Sequence, residues 1–318
     1  MSSVKLILGT MTFGPQADLD ASRAMVSCFL EAGHRELDAA YVYNNGETET
    51  IIGAIQRETP DRPLHLATKI HPRITGKLDR AAIAMQFEES LRRMGRDSVD
   101  ILYFHFPDPV TPIEEALETC AELFELGKIK ELGLSNYPAW MVVKIWHLCE
   151  KHSWPAPRVY QGMYNGLTRS LENELVPALR DLGIRLYAFN PLAGGMLTGK
   201  HTHFGENPIP GRFARLQSYR NRYWKKAYFK AVNALTEACR TAGIKPAEAA
   251  YRWLACHSKL DASQGDGLIV GASNLDQLQR NLNAAAKGPL PDSILDAFTD
   301  AWEEVKPDSP PYFRLFTR

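Results

Sequence analysis

Eight short runs rich in apolar and β-branched residues punctuate this sequence, and each is followed by a segment whose apolar residues recur at helical spacing. The runs are Leu6–Leu8, Glu36–Ala39, Leu64–Ile70, Val99–Phe106, Lys130–Leu134, Val159–Met163, Ile184–Phe189 and Gly267–Val270. The helical segments are Asp20–Ala32, Glu47–Arg57, Asp79–Met94, Ile113–Leu126, Trp140–His152, Glu172–Leu182, Pro246–His257 and Leu275–Ala285. Alternation of this kind calls for parallel strands joined by crossover helices. Eight units close naturally into a (β/α)8 TIM barrel; a doubly wound open sheet is the alternative. Gly33, Gly127, Gly183 and Gly243 stand where helices should end, the place of a left-handed cap. Two stretches break the alternation. One is a long connection from Ala193 to about Trp224, leading into a helix over Lys225–Ala242, and the other is the tail from Pro289. At 318 residues one barrel accounts for the chain, so a single domain over 1–318 is expected.

Charge narrows the partners. Lys+Arg and Asp+Glu balance at 37 each, which leaves no net basic field to hold nucleic acid or an anionic membrane. An anionic ligand must therefore be met by a local cluster. The five cysteines (Cys28, Cys120, Cys149, Cys239, Cys256) are widely spaced with no CxxC pair, which reads as free thiols and neither a disulfide framework nor a zinc site. No window approaches the roughly 20 apolar residues of a membrane span, and the opening MSSVKLILGTMTFG lacks a signal-peptide pattern. A cytoplasmic protein is expected.

In a barrel of this type the active site forms where strands end and loops begin. At those points stand Asp38 followed by Tyr43, then Lys69, His105, Ser135-Asn136, Gln161, Phe189-Asn190 and Ser273. Reducing a carbonyl by hydride requires a proton for the developing alkoxide, and a phenol with pKa about 10 is a reluctant donor near neutrality. Lys69 beside Tyr43 should lower the phenol's pKa, Asp38 should hold Lys69 charged, and His105 can donate to the carbonyl oxygen. Singly, each residue has a structural explanation: a barrel-mouth ion pair, a loop aromatic, a core histidine. Their joint placement on successive strand ends favours chemistry.

The segments LDAAYVYNNGETE, LATKI, YFHFPD, ELGLSNY, VYQGMYN and AFNPLAGGMLTGK, in this order along nearly the whole chain, resemble the successive motifs of the aldo-keto reductase superfamily. YQGMYN, NPLAGGMLTGK, Gly211–Phe213, YRNRYW at Tyr219–Trp224 and the terminal PYFR resemble its aflatoxin-aldehyde (succinic semialdehyde) reductase subfamily. The resemblance implies an NADPH-dependent reductase of aldehydes or ketones, with the long loop after strand seven and the tail over the active-site face. Tyr43 matches the catalytic tyrosine, Asp38 and Lys69 its ionic partners, and His105 the residue that orients the substrate. Ser135, Asn136 and Gln161 match holders of the nicotinamide carboxamide, and Phe189 matches its stacking aromatic, often tyrosine in the family; phenylalanine keeps the π-face. Asn190, Leu192, Gly194, Lys200 and Arg212 match the loop that crosses the pyrophosphate. Ser273, Gln277 and Asn281 match the adenosine-phosphate site, with Arg280 a further candidate; the Ser273-Asn274 pair opens a helix whose free N–H groups suit a phosphate. Tyr219, Arg222 and Arg314 match positions associated with a substrate carboxylate. A homodimer is left open.

Other signals point elsewhere and carry less. Gly194–Lys200 reads GxxxxGK, but His201 follows where a P-loop needs Ser or Thr. His201 and His203 lack a third ligand, so no metal is expected there. A regulatory cofactor-binding module and a metal-dependent hydrolase using His71 and His105 are the rival functions; the complete Asp38, Tyr43, Lys69, His105 set favours the reductase. Two departures from the subfamily touch the substrate end: the loop between Arg212 and Tyr219 is shortened, and LFTR follows Arg314.

Overall fold

A computed structural model describes residues 4–314, so the LFTR extension lies outside the described residues. Eight strands, β1 (Lys5–Gly9), β2 (Glu36–Asp38), β3 (His65–Ile70), β4 (Val99–Phe104), β5 (Ile129–Ser135), β6 (Val159–Met163), β7 (Arg185–Phe189) and β8 (Gly267–Gly271), pair in sequence order. All pairs are parallel, and β8 returns to β1 through Lys5 opposite Gly267 and Gly9 opposite Gly271, closing the barrel. The open-sheet alternative is thereby excluded.

Six helices lie between successive strands up to β7: α1 (Leu19–Glu31), α2 (Glu47–Glu58), α3 (Arg80–Met94), α4 (Ile113–Glu125), α5 (Ala139–His152) and α6 (Leu175–Asp181). Asp18 and Asp79 cap α1 and α3 by accepting the Ala21 and Ala82 amide protons, each at 2.9 Å. The four glycines expected at helix ends all adopt positive φ, between 64° and 88°. Helix α6 begins three residues later than its apolar spacing suggests. Pro177 has no N–H to give and is tolerated only in a first turn, which sets the start at Leu175.

Between β7 and β8 the chain adds α7 (Arg212–Arg215), α8 (Gln217–Tyr223), α9 (Lys226–Thr241) and α10 (Pro246–Cys256); α11 (Leu275–Ala286) follows β8. The segment from Pro289, expected only as a tail, contains a full helix, α12 (Asp292–Val305), which packs beside α9. After it, the chain folds back over the end of β5. There Tyr312 Oη donates to Glu174 at 2.7 Å and accepts from the Ala139 amide, and the Arg314 amide donates to the Asn136 carbonyl. No helix among the described residues is long and apolar enough to cross a membrane.

The strands are buried on both faces, which explains their near-continuous apolar character. Inside the barrel Ile7, Ala67, Ile101, Tyr103, Val159, Tyr187 and Ile269 pack together. Large residues fit because small ones face them: a Cβ on Gly133 would lie 2.4 Å from the Tyr103 ring. Toward the strands' N-terminal ends the interior turns polar, with ion pairs of Lys5 with Glu36 and of Arg185 with Glu131. The opposite end, where the strands finish, carries the candidate site.

Candidate active site

The side chains of Asp38 and Lys69 project from the ends of β2 and β3, and both are buried. Lys69 Nζ lies 2.7 Å from each Asp38 carboxylate oxygen, 2.6 Å from the Ala39 carbonyl and 3.4 Å from Tyr43 Oη. Gln161, reaching across from β6, donates its amide to Asp38 at 2.8 Å. Burial is the largest influence on the pair, pushing the Asp38 carboxyl up and the Lys69 ammonium down; the two opposed charges and their hydrogen bonds resist it. Neither charge is tolerable alone in such a place.

Tyr43 opens a tight turn, Tyr43–Gly46, in which Asn44 and Asn45 adopt positive φ. Asn44 tolerates that backbone and locks it, donating to the carbonyls of Met11 and Phe13 at 2.9 and 2.8 Å. The Tyr43 hydroxyl is pushed well above the ordinary phenol value, by burial first and then by the Asp38 charge. Sequence reasoning expected the reverse. The difference arises because burial outweighs any help from Lys69, whose contact with the phenol is longer than those it makes with Asp38 and Ala39. At neutral pH the phenol holds its proton.

His105 lies one residue beyond the paired part of β4, where its amide continues the ladder by donating to Ile70. Its ring faces Tyr43 edge-on with centroids 6.0 Å apart. Burial, and then the Lys69 charge, push it well below the ordinary imidazole value, so it is neutral. Its Nδ1 is buried without a hydrogen-bond partner among the described residues. His71, at the end of β3, packs on both His105 (5.0 Å) and Phe106 (4.7 Å) and is pushed down to about 4 by burial and Arg73. The sequence suggested His71 only as a metal ligand; it instead forms an aromatic wall of the site.

The remaining predicted residues stand at the ends of later strands and on the loops and helices that follow them. Ser135 ends β5, and Asn136 at φ 65° donates to Ser135 Oγ (3.0 Å) and the His105 carbonyl (2.9 Å), tying two strand ends together. Phe189 ends β7, half-buried on the inner barrel cluster. Asn190 accepts from the Gly194 amide at 2.7 Å and donates to Tyr223 Oη at 2.6 Å. After Leu192 the loop turns through Gly194 and Gly195, both at positive φ, where a Cβ on Gly194 would strike the Tyr219 ring at 2.7 Å. Lys200 follows, exposed. At β8, Ser273 Oγ donates to Gln277 (2.9 Å), Asn274 caps α11 through the Gln277 amide, and Asn281 donates to the Gly271 carbonyl. Arg280 is solvent-facing and paired with Asp276.

Arg212 and Arg222 stack on the Tyr219 ring, at 5.0 and 4.8 Å. Arg314 is close enough to Arg222 that burial, and then that charge, push its pKa down. Among the described residues Arg212, Arg222 and Arg314 have no carboxylate ion-pair partner. His201 is half-buried against Phe213 and Trp224. Sequence reasoning missed Glu49 and Arg93, a pair at 3.1 Å behind Tyr43 in which Glu49 is fully buried and Arg93 partly so. The partners are separated by 44 residues, and no local pattern joins them.

The aldo/keto reductase family model matches residues 5–303. Human aflatoxin B1 aldehyde reductase member 2 is 44% identical over 323 residues, covering 98% of this chain and 90% of that protein. Human aldo-keto reductase family 7 member A3 is 43% identical, covering 97% of this chain and 96% of its own length. A fungal relative, an aldo-keto reductase of Pseudocercospora fijiensis, is 37% identical over 91% of this chain and its own full length. With a closed eight-stranded barrel, these matches place the chain in the aldo/keto reductase family, as an oxidoreductase that uses a nicotinamide cofactor.

Proposed function

We propose that this chain reduces aldehydes and ketones to alcohols with NADPH, that Tyr43 gives the proton to the carbonyl oxygen, and that residues 1–318 work as one barrel domain. The observation that carries the reading is Lys69, bound to Asp38 and in reach of a protonated Tyr43 beside a neutral His105. The bound cofactor supplies a hydride from its nicotinamide ring. Tyr43 holds its proton until negative charge develops on the carbonyl oxygen. Lys69 then stabilises the phenolate that remains, and Asp38 keeps Lys69 in place. Neutral His105 donates one hydrogen bond that fixes the carbonyl's direction, a role an imidazolium is not needed for.

The residues present suit the cofactor's chemistry. Phe189 offers an aromatic face and Ser135, Asn136 and Gln161 offer amide and hydroxyl groups for a carboxamide. Asn190, Leu192, Gly194 and Lys200 line a loop whose glycines let backbone approach a pyrophosphate closely. Arg212 carries charge without a carboxylate partner among the described residues, and Ser273, Gln277, Arg280 and Asn281 surround the α11 N-terminus, a favourable place for a phosphate.

Two measurements test the reading. Purified protein should oxidise NADPH steadily when given a simple aldehyde; absence of turnover across an aldehyde panel would leave only a cofactor-binding role. NADPH should bind about 10- to 150-fold more tightly than NADH, the range for one charge-assisted hydrogen bond to the extra phosphate. Equal dissociation constants in fluorescence titrations would remove the phosphate pocket.

A further inference from the structure

We propose that Glu49 and Arg93 are positioning residues for the reaction, holding the Tyr43 turn and the Lys69 segment of β3 in mutual register. This rests on the reading of Tyr43 and Lys69 just given. Glu49 lies on the first turn of α2 and is fully buried, on the same inward face as Ile52 and Ile55, an unusual place for a carboxylate. One of its oxygens accepts from Thr68 Oγ1 at 2.6 Å; the other pairs with Arg93 Nη1 at 3.1 Å. Thr68 directly precedes Lys69, so Glu49 grips β3 from outside the barrel at the point where Lys69 enters it.

Arg93, from the last turn of α3, completes the arrangement. Its Nη1 also donates to the Tyr41 carbonyl at 3.1 Å, its Cζ lies 4.4 Å from the Tyr41 ring centre, and its Nε pairs with Glu89 at 2.9 Å. The turn is fitted to the guanidinium at its other end: a Cβ on Gly46 would lie 2.4 Å from Arg93 Cζ. Tyr41 in turn donates its amide to the Lys69 carbonyl at 3.0 Å. Tyr43 thus sits between two residues, Tyr41 and Gly46, that both bear on one arginine, and the same arginine is tied through Glu49 to the residue beside Lys69.

Glu49 acts on Lys69 electrically as well as sterically. Lys69 faces Asp38 and Tyr43 on the β2 side, Tyr103 and His105 on the β4 side, and the Glu49 charge on α2. Glu49 is a negative charge that favours the ammonium and takes no part in the Asp38 pair. Removing it should make the proton-holding pair of Tyr43 and Lys69 lose its proton more easily.

Glu49→Gln, Arg93→Met, Arg93→Lys and Thr68→Val test this, each measured for kcat against pH, NADPH dissociation constant and thermal midpoint. A displacement of about 1 Å at the reacting groups costs up to about 10²-fold in rate. Arg93→Met should therefore lose 10- to 100-fold in kcat with NADPH affinity within about threefold of wild type, and Arg93→Lys should recover part of the loss. Glu49→Gln should move the alkaline limb of kcat to lower pH, because a negative charge that favours the Lys69 ammonium is removed. A merely structural role would lower the thermal midpoint and leave that limb in place. Should Glu49→Gln or Arg93→Met fail to fold, Thr68→Val, which removes one hydrogen bond from a strand position suited to valine, decides the matter by its kcat. Unchanged kcat in folded variants, or losses matched by unfolded fraction with an unmoved pH profile, overturns the proposal. Tyr43→Phe run in parallel separates the two failures: if it too keeps full activity, the assignment of Tyr43 falls first.

Discussion

Tyr43→Phe is expected to lower kcat about 10²- to 10⁴-fold, the usual cost of losing a positioned general acid, while the NADPH dissociation constant stays within about threefold. The split follows from what the substitution removes. The ring keeps its place in the turn that Asn44 and Gly46 define, and only the hydroxyl 3.4 Å from Lys69 is lost. The Asp38–Lys69 pair keeps its own contacts with Ala39 and Gln161, so the barrel end should stay folded. Turnover measured beside a fluorescence titration of NADPH checks it. Undiminished turnover would assign the proton to another group, with His105 the next in line by geometry.

The second large effect concerns substrate choice. Arg222→Met and Arg314→Met are each expected to reduce kcat/KM for an aldehyde bearing a remote carboxylate, such as succinic semialdehyde, by roughly 10- to 150-fold. That range corresponds to the loss of a charge-assisted hydrogen bond of about 1.5–3 kcal/mol. The expectation rests on the proposal that these two guanidiniums, the charge of one helping to push the other's pKa down and neither having a carboxylate partner among the described residues, would receive an incoming anion. Methionine keeps length and apolar bulk while removing the donors. An uncharged aldehyde of similar length should lose little. If the carboxylate is held equally in ground and transition states, KM rises and kcat stays. Equal losses for both aldehydes would mean that the substitution had disturbed α8 or the folded-back chain end, and the carboxylate site would be abandoned without touching the assignment of Tyr43.

Much of this architecture was legible in the sequence because a barrel forces its signals to be local. Each strand is buried on both faces and reads as a short apolar run; each helix shows its own period; and catalytic candidates must stand where runs end. Asp38, Lys69 and Gln161 could be placed on that rule, and their side chains do meet. What escaped was either misjudged or non-local. Helix α12 buries Ile294, Phe298, Ala301 and Val305, a clear helical spacing, yet it follows the eighth unit and so fell outside the repeating pattern. The direction of the Tyr43 shift is set by burial and then by the Asp38 charge, and how deeply the fold buries the phenol is something no spacing reveals. Glu49 drew no reading from the sequence, and His71 entered only through the rival metal-dependent hydrolase. Their surroundings come from α3 and β4, elements distant in the chain.

The central claim, that this barrel delivers hydride to a carbonyl carbon while Tyr43 protonates the oxygen, is tested most directly by isotope transfer. Wild-type protein and Tyr43→Phe would be given NADPH doubly deuterated at the nicotinamide C4 together with an unlabelled aldehyde, and the product analysed by mass spectrometry. The wild type should yield alcohol carrying one deuterium on the carbon that bears the hydroxyl, and Tyr43→Phe should yield the same labelled alcohol at a rate lower by about 10²- to 10⁴-fold. Unlabelled alcohol from the wild type, or consumption of NADPH with no alcohol formed, would contradict it.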